Sequence, residues 1–318
     1  MVSWRSFFCI FFVYLGVLRS ISTVYVGPVP DALEQRVVSL IDGAHSRIWV
    51  ALFRLSSAPC VHALVRAKER NVDVRVILDS GVLGLPVHAV MQRQLRRAGI
   101  APWWSGRRSL MHHKWAIIDN KVFMGSANWT HAGLNNNHEI CAFFDDPSIV
   151  QGYATHFITL TRRIAGFAAR SPLIGRSFFF IPDHRREARS RLDFLLEGAR
   201  RRIWISMYAF TSIWCWKKLA DAVQRGVSVK VVLEPSEIFP CMQRDKAVKV
   251  GVHVRRYKSS NGAILHDKCA LIDDTVVFGS MNWTGAGMRL NEESVMLTDD
   301  RVIGEKVGHC FTQLFDGL

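Results

Sequence analysis

The chain has 318 residues, 49% hydrophobic and 21% charged, with no low-complexity stretch. That excludes a disordered or fibrous protein and allows two modest domains, each with its own core. The net charge of +14 points to an anionic partner, nucleic acid or an acidic membrane surface, with solubility alone as the plainer alternative.

In chain order, Arg5 precedes the apolar run Phe7–Leu18, and small residues stand at Ser20 and Ser22. This is the pattern of a secretory signal cleaved after Ser22, since twelve apolar residues fall short of the roughly 20 needed to span a membrane. Tyr25-Val26-Gly27-Pro28 then reads as a strand ending at proline, and Ile41-Asp42-Gly43-Ala44 as a helix end. Arg47-Ile48-Trp49-Val50 opens a second strand, and alternation in Val72–Val76 marks a third with one polar face. Val87, Val90, Met91 and Leu95 form a helical stripe ended by Gly99. Trp103-Trp104 beside Arg107-Arg108 is an aromatic and basic mixture suited to a single strand or to a lipid interface. Next come His112-x-Lys114, Asp119, Gly125-Ser126-x-Asn128, Trp129-Thr130 and Glu139. Trp115–Asp119 and Lys121–Gly125 are apolar-rich and predict a hairpin turning at Asp119-Asn120.

A Gly-, Pro- and Arg-bearing stretch from about 162 to 176 reads as a linker, after which everything repeats. Phe179-Phe180-Ile181-Pro182, Leu196-Glu197-Gly198-Ala199, Arg202-Ile203-Trp204-Ile205 and Val227–Val231 match the earlier segments in order. Lys258 precedes a second set, 154 residues after the first: His266, Lys268, Asp273, Gly279-Ser280-x-Asn282, Trp283-Thr284 and Glu293. Cys269–Asp273 and Thr275–Gly279 predict the matching hairpin. Strands alternating with helices imply an α/β fold of two tandem layered domains, each a sheet covered on both faces, over 23–165 and 166–318. Seven cysteines are scattered without Cys-x-x-Cys or a Cys/His cluster at zinc spacing, so no disulfide framework and no metal site is expected. Cys141 and Cys269 read as buried thiols.

Cleaving a phosphodiester takes a nucleophile, a proton donor for the leaving oxygen, and cations and N–H donors around the non-bridging oxygens. Two His-Lys-Asn sets supply all of these. Lys114 and Lys268 fall two residues beyond His112 and His266, on the same strand face, where two ammonium groups can meet the phosphate. Asn128 and Asn282 add amide donors, and Ser126 and Ser280 hydroxyls. His113 should point to the opposite face, where the second copy has Asp267. Asp119 and Asp273, at odd spacing from the lysines, read as structural acids bracing the hairpins. Trp129 and Trp283 suit either base stacking or core packing. Arg107, Arg108 and Lys258 precede the histidines and are expected to border the site as a substrate groove. The run Arg185–Arg202, broken by acids at helical spacing, reads as a solvated helix face.

His-x-Lys-x4-Asp with a linked Gly-Ser-x-Asn, present twice, resembles the phospholipase D superfamily over nearly the whole chain beyond residue 22. The wording Met111-His112-His113-Lys114-Trp115-Ala116-Ile117-Ile118-Asp119 is most similar to the mitochondrial cardiolipin hydrolase and Zucchini endoribonuclease branch. Those relatives and the small bacterial nucleases carry one copy and dimerise, whereas here two copies are fused. The resemblance implies a pseudo-two-fold with the active site at the interface, an active monomer and no cofactor. It implies that one histidine attacks phosphorus to give a phosphohistidine while the other protonates the leaving group. It also implies that Glu139 and Glu293 hydrogen-bond the catalytic histidines. Because relatives keep an N-terminal membrane segment, residues 1–22 read as a membrane anchor or as an export signal. The expected substrate is nucleic acid, preferably single-stranded; phospholipid such as cardiolipin is the alternative, followed by phosphatidyl transfer and a non-enzymatic nucleic-acid-binding module.

Overall fold

The computed structural model describes residues 21–105, 109–175, 177–259 and 261–318. The leader up to residue 20 and the expected groove residues Arg107 and Arg108 lie outside the described residues. No helix among the described residues is long and apolar enough to cross a membrane.

The first half runs β1 (Ile21–Val26), α1 (Ala32–Asp42), β2 (Arg47–Leu52), α2 (Ala58–Glu69), β3 (Asp73–Asp79), α3 (Pro86–Arg97), β4 (Trp103–Ser105), β5 (Lys114–Ile118), β6 (Lys121–Gly125), β7 (Ile140–Phe144) and α4 (Pro147–Ile164). The second repeats it as β8 (Phe178–Ile181), α5 (Arg185–Gly198), β9 (Arg202–Met207), α6 (Ile213–Gln224), β10 (Ser228–Leu233), α7 (Met242–Lys249), β11 (His253–Arg256), β12 (Lys268–Ile272), β13 (Thr275–Gly279), β14 (Glu293–Thr298) and α8 (Arg301–Asp316). Each half forms a seven-stranded sheet of the same order, β1-β7-β6-β5-β2-β3-β4 and β8-β14-β13-β12-β9-β10-β11. The motif strands β5 and β12 are central in their sheets, antiparallel to β2 and β9.

The layers follow from which faces are apolar. One cluster of buried side chains lies between α1, α2, α3 and the outer face of the first sheet, and another between α5, α6, α7 and the second. The third contains residues of both halves, among them Trp49, Trp115, Tyr153, Phe157, Phe178, Phe278 and Met296, so the two sheets share a core. Helix α4 packs on the first sheet, and α8 packs on the second sheet and on β1. Burying a side chain the size of Phe or Leu contributes about 1.5–3 kcal/mol, so this shared core ties the halves into one unit.

The hairpins form where expected, with strands starting at the lysines and ending one residue before the acids. Asp119 and Asp273 sit in the turns at φ 51° and 50°. Asp119 accepts the backbone N–H groups of His45, Ser46 and Arg47 at 2.9–3.0 Å, and Asp273 those of Arg200, Arg201 and Arg202 at the same distances. Each acid thus ties its hairpin to the start of the neighbouring strand. Burial opposes ionisation at Asp119, yet these donors hold its carboxyl down at about 2.

Two expectations change at this level. The α3 helix is present, but Val87 and Val90 of its expected apolar stripe are exposed, while His88 and Leu95 are buried. Trp129 and Trp283, left open between stacking and packing, are core residues at 0% and 2% exposure. The described cysteines are all free thiols, with Cys60, Cys141, Cys215 and Cys269 buried.

Candidate active site

The halves meet through backbone pairing next to each motif histidine. His112 N donates to Glu292 O at 2.8 Å and Glu292 N to Leu110 O at 2.9 Å. In mirror fashion, His138 N donates to Ile264 O at 3.0 Å and His266 N to His138 O at 2.9 Å. The chain leading into each histidine therefore runs beside the chain leading into the other half's glutamate. Asp79 and Glu234 fix the same segments by accepting Met111 N and Leu265 N at 2.7 and 2.8 Å.

This pairing places glutamate and histidine in contact across the interface. His112 Nδ1 lies 2.9 Å from both carboxylate oxygens of Glu293, and His266 Nδ1 lies 2.8 and 3.0 Å from those of Glu139. Such a bond holds the ring and leaves Nε2 free for chemistry. Both glutamates are buried rather than solvated strand ends. Ser126 and Ser280 donate to Glu139 and Glu293 at 2.5 Å and accept Ile140 N and Ser294 N at 2.9 and 3.0 Å. This corrects their expected place: fully buried hydroxyls, occupied as both donor and acceptor, brace the glutamates instead of facing a phosphate. The close approach depends on Gly125 and Gly279, where a Cβ would meet Ile140 O at 2.3 Å and Ser294 O at 2.1 Å.

Lys114 and Lys268 lie beneath the histidines and are buried. Each ammonium donates to the carbonyl of its own histidine, His112 O at 2.7 Å and His266 O at 2.5 Å. An aromatic ring from the first turn after β2 or β9 covers each pair. Phe53 is 5.0 Å from the His112 ring and 5.2 Å from Lys114 Nζ; Tyr208 is 4.9 Å from the His266 ring and 4.8 Å from Lys268 Nζ.

The electrostatics follow from burial among like charges. Burial and the two lysines lower His112 to about 4 against the pull of Glu293, and push His266 well below its ordinary value. Burial lowers Lys114 to about 7 and Lys268 to about 8, despite the glutamates. Glu139 is raised to about 8 by burial, with Asp267 adding negative charge on that side. Asp267 lies on the opposite strand face, donated to by Ser206 at 2.5 Å and paired with His138 at 2.7 Å. Its counterpart His113 is also turned away, 2.9 Å from His156 Nε2 and driven by burial to its neutral form.

Asn128 and Asn282 follow β6 and β13, partly exposed beside the lysines' strands. Asn282 Oδ1 accepts Ala209 N at 3.3 Å, whereas Asn128 Oδ1 is buried without a partner. Lys258 is exposed on the segment after β11, next to Tyr257, whose ring lies 6.3 Å from that of His138. Sequence reasoning missed Phe53, Tyr208, Asp79, Glu234 and Arg54. Arg54 is exposed, with its guanidinium carbon 5.3 Å from the Phe53 ring, and its charge reaches Lys114 and His266. Its place in the second half is taken by Ala209. The signal that marks them is position, at the carboxyl ends of β2 and β3 or of β9 and β10, the two strands that lie beyond each motif strand on the same side of its sheet. Among the described residues no group of three or more His, Cys, Asp or Glu side chains is arranged to hold a metal ion.

Mitochondrial cardiolipin hydrolase of Mus musculus is 32% identical to this chain over 131 residues, which are 41% of this chain and 58% of that protein. Cardiolipin synthase A of Pseudomonas putida (strain GB-1) is 34% identical over 133 residues, 38% of this chain and 26% of that protein. The matched segments thus span about three-fifths or less of these relatives. The solved phosphatidylserine synthase of Haemophilus influenzae Rd KW20 superposes with a TM-score of 0.71, covering 92% of this chain and 86% of that one. At 13% identity this likeness concerns the fold. The family described as "Cardiolipin synthase, PLD-like domain" matches twice, over residues 37–161 and 192–315. The chain therefore belongs to the phospholipase D superfamily and carries two copies of its domain in one polypeptide.

Proposed function

We propose that the protein hydrolyses a phosphodiester at one composite site, through a phosphohistidine, with a phospholipid as the leading substrate. Nε2 of His112 attacks phosphorus while Lys114 and Lys268 neutralise the non-bridging oxygens. The bond to the leaving oxygen breaks as His266 protonates it. His266 then takes a proton from water, whose oxygen attacks phosphorus, breaks the P–N bond and frees His112. The one-sided charge of Asp267 supports this assignment of roles. Burial leaves both rings neutral, but Glu139, raised to about 8, keeps a proton near neutrality that it can pass through His266 to the leaving oxygen.

The observation that carries the substrate reading is the surface beside His266. Tyr208, edge-on to that histidine, also lines a cavity of about 250 Å³ with Phe210, Ile213, Leu233, Ile238 and Phe239, where Glu237, Gln243 and Arg244 supply the polar part of the wall. A largely apolar cavity that begins at Tyr208 suits a diester with acyl chains attached. The names of the relatives, cardiolipin hydrolase and cardiolipin synthase, support the same choice. An export signal or membrane anchor in residues 1–22 fits such a substrate. The second reading, single-stranded nucleic acid, is the one that the basic balance, the compact size and the resemblance to nuclease branches favour. It retains the support of the +14 charge and of Arg54 at the mouth.

Parallel assays of the full chain in mixed micelles decide between them, with cardiolipin, phosphatidylcholine, single-stranded DNA and RNA as substrates and His112→Ala as control. Turnover of a phospholipid that the control abolishes is the expected result. Turnover confined to the nucleic acids overturns the lipid reading, and turnover of neither overturns the reaction.

A further inference from the structure

A second cavity, of about 510 Å³, lies in the second half between α5, the start of α6 and the segment after β13. Its floor is aliphatic, with Leu192, Ile213, Met281 and Met288 beside Trp214. Arg185, Arg186, Arg189 and Arg289 form its rim, and among the described residues no carboxylate lines it. The sequence suggested only a solvated helix face for the first three.

Pseudo-symmetry shows that this cavity belongs to one half only. In the repeat register, Arg189 stands where the first half has Glu34, Arg289 where it has Asn135, and Gly285 where it has His131. In the first half these groups close on each other. Ser57 Oγ donates to Glu34 at 2.6 Å, Asn135 Nδ2 donates to Glu34 at 3.1 Å, and Asn135 lies 3.2 Å from His131 Nδ1. The second half replaces one carboxylate and one amide by two guanidinium groups and leaves the space open. Arg189 is partly engaged, 3.3 Å from the Trp214 ring and paired with Asp193 at 3.2 Å. Arg185, Arg186 and Arg289 are exposed and form no ion pair among the described residues. A cationic rim over an aliphatic floor lacks an anion with a hydrocarbon body. A nucleotide fits less well, because the aromatic wall already carries a guanidinium on its face. On the same flank Ile213, Phe239 and Met242 are 56%, 56% and 65% exposed, and Ile213 lines both cavities. Apolar side chains beside arginines match the boundary between acyl chains and phosphates.

We propose that this cavity binds the anionic headgroup and upper acyl chain of an acidic phospholipid, apart from the histidine pair, and seats the second half on a membrane surface. The site holds whether the scissile diester is lipid or nucleic acid.

The test titrates full-chain protein with monomeric dihexanoyl phosphatidylglycerol, dihexanoyl phosphatidylcholine, inorganic phosphate and oligo-dT. Phosphatidylglycerol should bind more tightly than phosphatidylcholine or phosphate, since each of these lacks half of the match. Arg186→Ala with Arg289→Ala should weaken phosphatidylglycerol by roughly 30-fold, at about fivefold per arginine near an acidic surface. The charge-matched pair Arg96→Ala with Arg97→Ala on α3 should leave it unchanged. Hydrolysis of soluble bis(p-nitrophenyl) phosphate should stay at wild-type level in both doubles, which separates this site from the catalytic reading. Equal losses in both doubles would reduce the effect to net charge and overturn the proposal. Phosphate binding as tightly as phosphatidylglycerol, or loss of oligo-dT binding alone, would overturn it in favour of a free-anion or nucleic-acid site.

Discussion

At the residue scale, burial lowers the proton affinity of the two lysines and two histidines, and both lysines lower that of each histidine further. This sets a pH window. His112 must be neutral to attack, which holds above about 4, and the lysines must be charged to hold the phosphate. Because their values are depressed, that charge is lost as pH rises through about 7 for Lys114 and about 8 for Lys268. We expect kcat/KM on bis(p-nitrophenyl) phosphate to rise through about pH 4 and to fall between about 7 and 8. A rate still climbing beyond the ordinary lysine range would contradict the burial of those charges. The asymmetry around Glu139 yields a second expectation. His266→Ala, given this same substrate, whose leaving group needs no proton, should release one p-nitrophenolate and accumulate the remaining p-nitrophenyl phosphoryl group on His112, because no base remains to activate water. Its steady-state turnover should fall about 10²–10⁴-fold. Peptide mapping by mass spectrometry reads the labelled residue; label on His266 in the His112→Ala protein would reverse the roles.

At the element scale, the hairpins owe their position to the acids in their turns. Asp119→Ala removes three backbone N–H bonds to a carboxylate and should cost on the order of 2 kcal/mol, with kcat unchanged. Its depressed pKa means that the stability it contributes is complete above its ordinary value near 4 and is lost as pH falls toward about 2. Urea melts of wild type and variant should therefore converge in acid; a gap that persists there would assign the loss to something other than the charge. These hairpins were legible because alternation and a repeated turn are local signals. The strands around them were legible because each occurs twice. The stripe of α3 was not. The helix ends ahead of Gly99 as expected, but the residues that meet α2 are decided by tertiary approach, which turns His88 and Leu95 inward and Val87 outward. Ser126 was misplaced for a related reason. Spacing puts its hydroxyl near the site, but its partner Glu139 arrives on β7 through a Gly125 approach that spacing does not encode.

At the scale of the whole molecule, the duplication is the mechanism's precondition, since each glutamate serves the histidine of the other half. The sequence announced two motifs, and the resemblance implied that they face each other. The exchange of Glu139 and Glu293 between halves rests on backbone pairing at Glu292 and His138, which no local pattern reveals. Once fused, the halves were free to diverge, and Arg54 against Ala209, Asp267 against His113 and Arg189 against Glu34 are places where they have. In the proposed mechanism two lysines supply the positive charge at the phosphate, so excess EDTA should leave turnover of bis(p-nitrophenyl) phosphate unchanged. Loss of activity restored by a divalent cation would contradict that.

The central claim is that one chain makes one site from both halves. It is tested most directly by the turnover of bis(p-nitrophenyl) phosphate by His112→Ala, His266→Ala and their equimolar mixture. Each variant alone should be nearly inactive, and mixing should restore nothing, because each chain pairs its own halves. Substantial activity in either single variant, or recovery on mixing, would show that the halves act separately or exchange between chains, and would contradict the account.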